Sequence, residues 1–148
     1  MSEEKPTLLN QINLVVKSVP ASVAFYRRLG LRVEEAAHPG LAAHHATAIM
    51  SNGMRLELDS EPFAERWNRG WKGRGRGSMG VLFFSVPARE DVDLLHETLS
   101  FDGYPSQQPP YDAFWGARCA IVEDPDGNPV GIMSPIDSAL RRTPQLPH

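Results

Sequence analysis

The residue best placed to do chemistry in this chain is Glu57, set between two leucines in Arg55-Leu56-Glu57-Leu58. In an extended segment the leucines and the carboxylate face opposite ways, so Glu57 could serve as a base or a ligand on the polar face. The same alternation is found in any half-buried strand, where such a glutamate does no chemistry. Three histidines precede it: His38, His44 and His45. Adjacent strand residues face opposite ways, so at most one of His44 and His45 can point into a pocket beside Glu57. His96 falls on a helical segment and reads as solvent-facing. Trp67, Trp71, Tyr111, Phe114 and Trp115 lie in segments without periodicity. Their rings could stack on a flat ligand or plug an interface. Cys119 is the single cysteine and sits in an apolar run with no activating neighbour, so it reads as buried filler. A lone cysteine excludes an intramolecular disulfide and suits a reducing compartment.

The chain has 148 residues, of which 41% are hydrophobic and 22% charged, enough for one compact domain or two small modules sharing a core. A net charge of −3 argues against a nucleic-acid partner. The local exception, the Arg69–Arg76 run with its interleaved glycines, is short and reads as a solvated connector. No apolar run approaches the roughly 20 residues that span a bilayer. The acidic start, Ser2-Glu3-Glu4, lacks the basic-then-apolar order of a signal peptide. The expectation is a cytoplasmic protein with no membrane partner.

The elements that must position these residues follow from periodicity and turn chemistry. Ile12 to Val16 is β-branched and apolar and predicts a strand. Pro20 opens a helical pattern of Val23, Tyr26 and Leu29 that stops at Gly30. Residues 31–37, 42–50 and 54–59 read as strands, parted by His38-Pro39-Gly40 and by Asn52-Gly53. Residues 60–78 read as a connector with one helical turn near Pro62–Trp67. A strand over Gly80–Val86 and a helix from Ala88, with Val92, Leu95 and Leu99 on one face, begin a second half. A proline-rich passage, Tyr104–Pro110, leads to two apolar runs, Cys119–Val122 and Val130–Met133, joined by turn-forming residues.

The order β-α-β-β-β thus occurs twice, over 10–59 and 79–135, with 60–78 between and a surface tail over 136–148. The string Asp124-Pro125-Asp126-Gly127-Asn128, the Phe25-Tyr26 and Leu29-Gly30 pairs of the first helix and the Leu56-Glu57-Leu58 strand resemble the vicinal-oxygen-chelate superfamily. That superfamily holds glyoxalase I, bleomycin-resistance proteins and extradiol dioxygenases. The resemblance implies an α+β fold of two paired β-α-β-β-β modules forming a cup-shaped mixed sheet, in a homodimer.

Metal-dependent members hold one divalent ion at four inward strand positions. Here these fall at Gln11, Glu57, Val81 and Gly131, or at Ser78 for the third if the repeated Ser-Val-Pro-Ala string sets the alignment. Val and Gly carry no side-chain donor, and two donors are fewer than a divalent site needs. The expectation is no metal and no other cofactor. Alternation from Gln11 and Glu57 directs Asn13, Arg55, Asp59, Phe83 and Met133 inward as well, with Trp67, Trp71, Tyr111 and Trp115 at the border. The resemblance therefore implies a metal-free protein binding a small, partly aromatic molecule. The alternatives are a metal-dependent lyase, isomerase or dioxygenase, with a third ligand from residues 38–45, and a metal-independent lyase with Glu57 as general base.

Overall fold

The β-branched run becomes strand β1 (Gln11–Val16), and Ser18 caps the helix that follows, its hydroxyl accepting from the Ala21 N–H at 3.2 Å. In this computed structural model residues 8–71, 73, 75 and 80–144 are described. Residues 1–7, Lys72, Arg74 and Arg76 of the basic run, Ser78 and the chain after Pro144 lie outside them. The chain divides into two compact units, residues 1–74 and 75–148.

In the first unit, helix α1 (Val19–Leu29) is followed by strands β2 (Val33–Glu35), β3 (His45–Ile49) and β4 (Arg55–Ser60). The sheet order is β1-β4-β3-β2, with β1 parallel to β4 and the other pairs antiparallel. Helix α1 covers one face of β4, burying Val19, Val23, Tyr26 and Leu29 with Leu56 and Leu58. The strands expected over 31–37 and 42–50 are shorter. Between them, backbone bonds from Leu41 N–H to the His38 carbonyl and from His44 N–H to the Leu41 carbonyl, both 2.9 Å, fold 38–44 into turns. His44 therefore precedes β3 rather than lying on it. Past β4, a second helix, α2 (Glu61–Trp67), occupies the start of the expected connector. Ser60 caps it by accepting from the Phe63 N–H.

The second unit repeats the order: β5 (Leu82–Ser85), α3 (Arg89–Phe101), β6 (Ser106–Asp112), β7 (Arg118–Glu123) and β8 (Pro129–Met133). Its sheet, β5-β8-β7-β6, has the permutation of the first, again with a parallel first pair. Each unit is thus a β-α-β-β-β module. The proline-rich passage is a strand here, which the composition alone argues against. Pro109 and Pro110 offer no N–H, but β6 is an edge strand and its register with β7 shifts on either side of Gln108. An edge and a bulge are where prolines fit in a sheet. Tyr111 accordingly belongs to β6, not to an irregular segment, and Val81 lies just before β5. His96 is half-buried and holds Ser106 Oγ at 2.7 Å, tying α3 to β6 rather than facing solvent.

The hairpin joining β7 to β8 is organised by Asp124, which is 3% exposed. Its Oδ1 accepts from the Asp126 and Asn128 N–H groups and its Oδ2 from Asn128 Nδ2, each at 2.9 Å. Gly127 takes the left-handed backbone the turn requires, with φ +81°. Replacing Asp124 with alanine removes the acceptor for three donors, so Asp124→Ala should lower unfolding free energy by about 1–3 kcal/mol in urea titrations.

On the α3 side of this sheet Arg118 grips Asp93 through two bonds of 2.6 and 2.8 Å and reaches Asp112, which also pairs with Arg89. The hydrogen bond from Arg118 holds the Asp93 carboxyl below the usual carboxylate range. A depressed carboxylate contributes stability above about pH 4 and loses it as pH falls through the lowered folded value. Asp93→Asn should therefore cost up to about 1 kcal/mol at pH 7, the ceiling for an exposed pair, and nothing in strong acid. Thermal melts across that range would check it.

Candidate functional site

On the face of the first sheet opposite α1, the antiparallel register sets His45 across from Asp59 and Thr47 across from Glu57, while β1 sets Asn13 across from Glu57. Polar side chains from three strands thus meet on one surface. Asp59 is fully buried and Glu57 is 4% exposed. Buried carboxylates require partners, and both have them. Asp59 Oδ2 accepts from Asn13 Nδ2 at 2.8 Å, and its Oδ1 lies 2.7 Å from His45 Nδ1. Glu57 Oε1 accepts from Arg55 Nε at 3.0 Å, while Oε2 takes a short hydrogen bond from the Thr47 hydroxyl and lies 3.4 Å from His45 Nε2. Gln11 extends the row, donating from Nε2 to Asn13 Oδ1 at 2.8 Å.

Helix α2 supplies the apolar wall. Ser60 fixes its start, and its hydroxyl also lies 2.7 Å from His44 Nδ1, so His44 is used at the helix entry. Phe63 packs on the His45 ring with centroids 5.3 Å apart, and Trp67, one helical turn on, stays half-exposed. Gln11, Asn13, His45, Glu57, Asp59, Phe63 and Trp67 line an open pocket of about 380 Å³.

Of the residues proposed from the sequence, Gln11, Asn13, Glu57, Asp59 and Trp67 are in this lining, and Arg55 stands behind it as the partner of Glu57. Trp71 lies beyond α2, where its backbone N–H bonds the Asn68 carbonyl. Phe83, Tyr111, Trp115 and Met133 belong to the second unit. There Trp115 Nε1 donates to Met133 Sδ at 3.4 Å, and both pack on a buried cluster of Ala113, Ala117 and Cys119. Burial raises the Cys119 thiol pKa, in keeping with filler. Of the two adjacent histidines weighed from the sequence it is His45 that enters the lining, and Phe63 is the lining residue that sequence reasoning did not single out. Met50 and Met54 close a three-residue loop over 51–53, and counting back from that pair sets His45 against Asp59.

Of the four positions that the resemblance marks for a metal, Val81 and Gly131 carry no side-chain donor. Glu57 is already held by Arg55 and Thr47. Val81 is apolar. At Gly131 the Phe83 ring occupies the space a side chain would need, since a Cβ there would overlap the ring. Among the described residues no group of three or more His, Cys, Asp or Glu side chains is arranged to hold a metal ion. The packing at Gly131 is testable. Gly131→Ala should cost about 1–3 kcal/mol in the wild-type background and much less beside Phe83→Ala, a coupling that a double-mutant cycle in urea would measure.

The profile of the Glyoxalase/Bleomycin resistance protein/Dioxygenase superfamily matches residues 8–132. No curated protein matches the sequence. Among solved structures, the chain is similar to a glyoxalase/bleomycin resistance protein/dioxygenase family enzyme from Burkholderia phytofirmans PsJN, at TM-score 0.73 and 20% identity over 85% of this chain and 97% of that one. A glyoxalase-related enzyme from Fulvimarina pelagi gives TM-score 0.73 and 21% identity over 88% and 89%. A lactoylglutathione lyase from Agrobacterium tumefaciens gives 0.65 and 19% over 88% and 96%. At these identities the structures share the fold, and the profile match gives the family: the chain belongs to the Glyoxalase/Bleomycin resistance protein/Dioxygenase superfamily.

Proposed function

We propose that this chain is a metal-free member of its superfamily that binds a small, partly aromatic molecule in the pocket of its first module. The observation that carries the reading is the composition of that pocket. A row of hydrogen-bonding side chains from Gln11 to Glu57 faces two aromatic rings, Phe63 and Trp67, around about 380 Å³ of space. Such a volume suits a small ligand, with the rings supplying stacking area and the row fixing its orientation. The donor set supports the metal-free part, because Gly131 and Val81 offer no ligand and Glu57 is engaged within the protein. The resemblance to the superfamily adds homodimer assembly, which light scattering would test, and the lone Cys119 suits cytoplasmic residence. No helix among the described residues is long and apolar enough to cross a membrane.

Elemental mass spectrometry on untagged protein purified without chelator should find metal far below one ion per chain. A thermal-shift screen of small aromatic compounds should yield ligands that raise Tm in the wild type and not in Trp67→Ala. At a hundredfold excess over Kd the stabilisation is about 2.7 kcal/mol, well within reach of the method. Near-stoichiometric metal that is lost in Glu57→Ala would replace this reading with a metal-dependent enzyme.

A further inference from the structure

His45 is held in the pocket on one ring nitrogen and one ring face. Asp59, with its side chain 1% exposed, holds Nδ1 at 2.7 Å, and the Phe63 ring packs against the imidazole. Yet 28% of the His45 side chain remains exposed in the pocket lining. A buried carboxylate on Nδ1 selects the tautomer with the proton there, leaving the Nε2 lone pair toward the other side. That lone pair has no committed donor. Its neighbours are Thr47 Oγ at 3.3 Å and Glu57 Oε2 at 3.4 Å, and the Thr47 hydroxyl gives its proton to Glu57. Once Nε2 takes a proton, the imidazolium stands between two buried carboxylates, Asp59 and Glu57, which attract the positive ring. Both Glu57 oxygens, by contrast, are already engaged, Oε1 by Arg55 and Oε2 by the Thr47 hydroxyl.

We propose that His45 is a general base, with Asp59 as its positioning residue and Glu57 stabilising the protonated ring. The first module would then be a metal-free proton-transfer site for small, flat carbon acids. This rests on the pocket reading above and goes beyond it, since a binding site needs no base. In the reaction, Nε2 removes a proton from an acidic C–H bond of the bound molecule. The released electron pair moves into the molecule, and the imidazolium returns the proton to the rearranged product or to water.

Elimination of 5-nitrobenzisoxazole tests the proposal without knowledge of the natural ligand. The base takes the ring C–H proton, the C–H electron pair completes a nitrile, and the N–O bond breaks to leave a coloured 2-cyano-4-nitrophenolate. Wild-type protein should exceed equimolar imidazole by about 100-fold, the lower range for a positioned base. His45→Gln should remove the gain, Asp59→Asn should lower kcat with KM unchanged, and Glu57→Gln should retain part of the activity. A rate no higher than that of imidazole, a rate that survives His45→Gln, or one abolished by Glu57→Gln alone overturns the assignment. If His45→Gln does not fold, diethyl pyrocarbonate labelling of the wild type decides instead. Activity must fall in step with label mapped to His45 by mass spectrometry, and activity that persists on fully labelled His45 overturns it. Saturation-transfer NMR of the same compound separates the two readings: a compound that binds without turnover removes the base and leaves the binding pocket intact.

Discussion

The first module depends on the burial of Asp59. A carboxylate with no solvent exposure is tolerated only when its oxygens are answered, and breaking such a pairing typically costs several kcal/mol. The two answers come from different strands, Asn13 on β1 and His45 on β3, so one buried charge fastens three strands in register. Asp59 also precedes Ser60, the cap that starts α2, and α2 delivers Phe63 and Trp67. The polar row and the aromatic wall of the pocket thus both follow from how β4 ends.

The two modules share a strand permutation and little of their chemistry. In the first, the face away from the helix carries charged and hydrogen-bonding groups. In the second, the corresponding positions on β5 and β8 are Phe83 and Gly131, and the phenyl ring lies on the glycine. A glutamate at 131 would begin inside that ring. The absence of a donor there is therefore part of the packing rather than an open position. A donor side chain at position 131 would require Phe83 to move.

The same architecture accommodates a locally unfavourable sequence in β6. Two consecutive prolines break the pattern of a central strand, yet an edge strand needs a partner for only every other N–H, and the register shift between Gln108 and Tyr111 absorbs the irregularity. Arg118, on the neighbouring strand, ties that edge to α3 through Asp112 and Asp93. Ion pairs of this exposed kind contribute little each. Their value here is in orienting an edge that the prolines leave short of backbone bonds.

Much of the fold is legible in the chain itself, because it rests on local physics. Asn52-Gly53 and Asp124–Asn128 dictate their hairpins, Gly30 ends α1, and alternation around Glu57 separates the helix-packed leucines from the polar face. The family follows from those same strings. The edge position of β6 is not local, so the prolines mislead. The site was half legible: Gln11, Asn13 and Glu57 follow from alternation, but the role of His45 does not. Which of His44 and His45 faces Asp59 depends on where β3 begins, and that is decided by the turns over 38–44 and by the pairing of β3 with β4. The partners of a buried charge are set by contacts between distant segments, so only the tertiary structure could place an imidazole between Asp59 and Glu57.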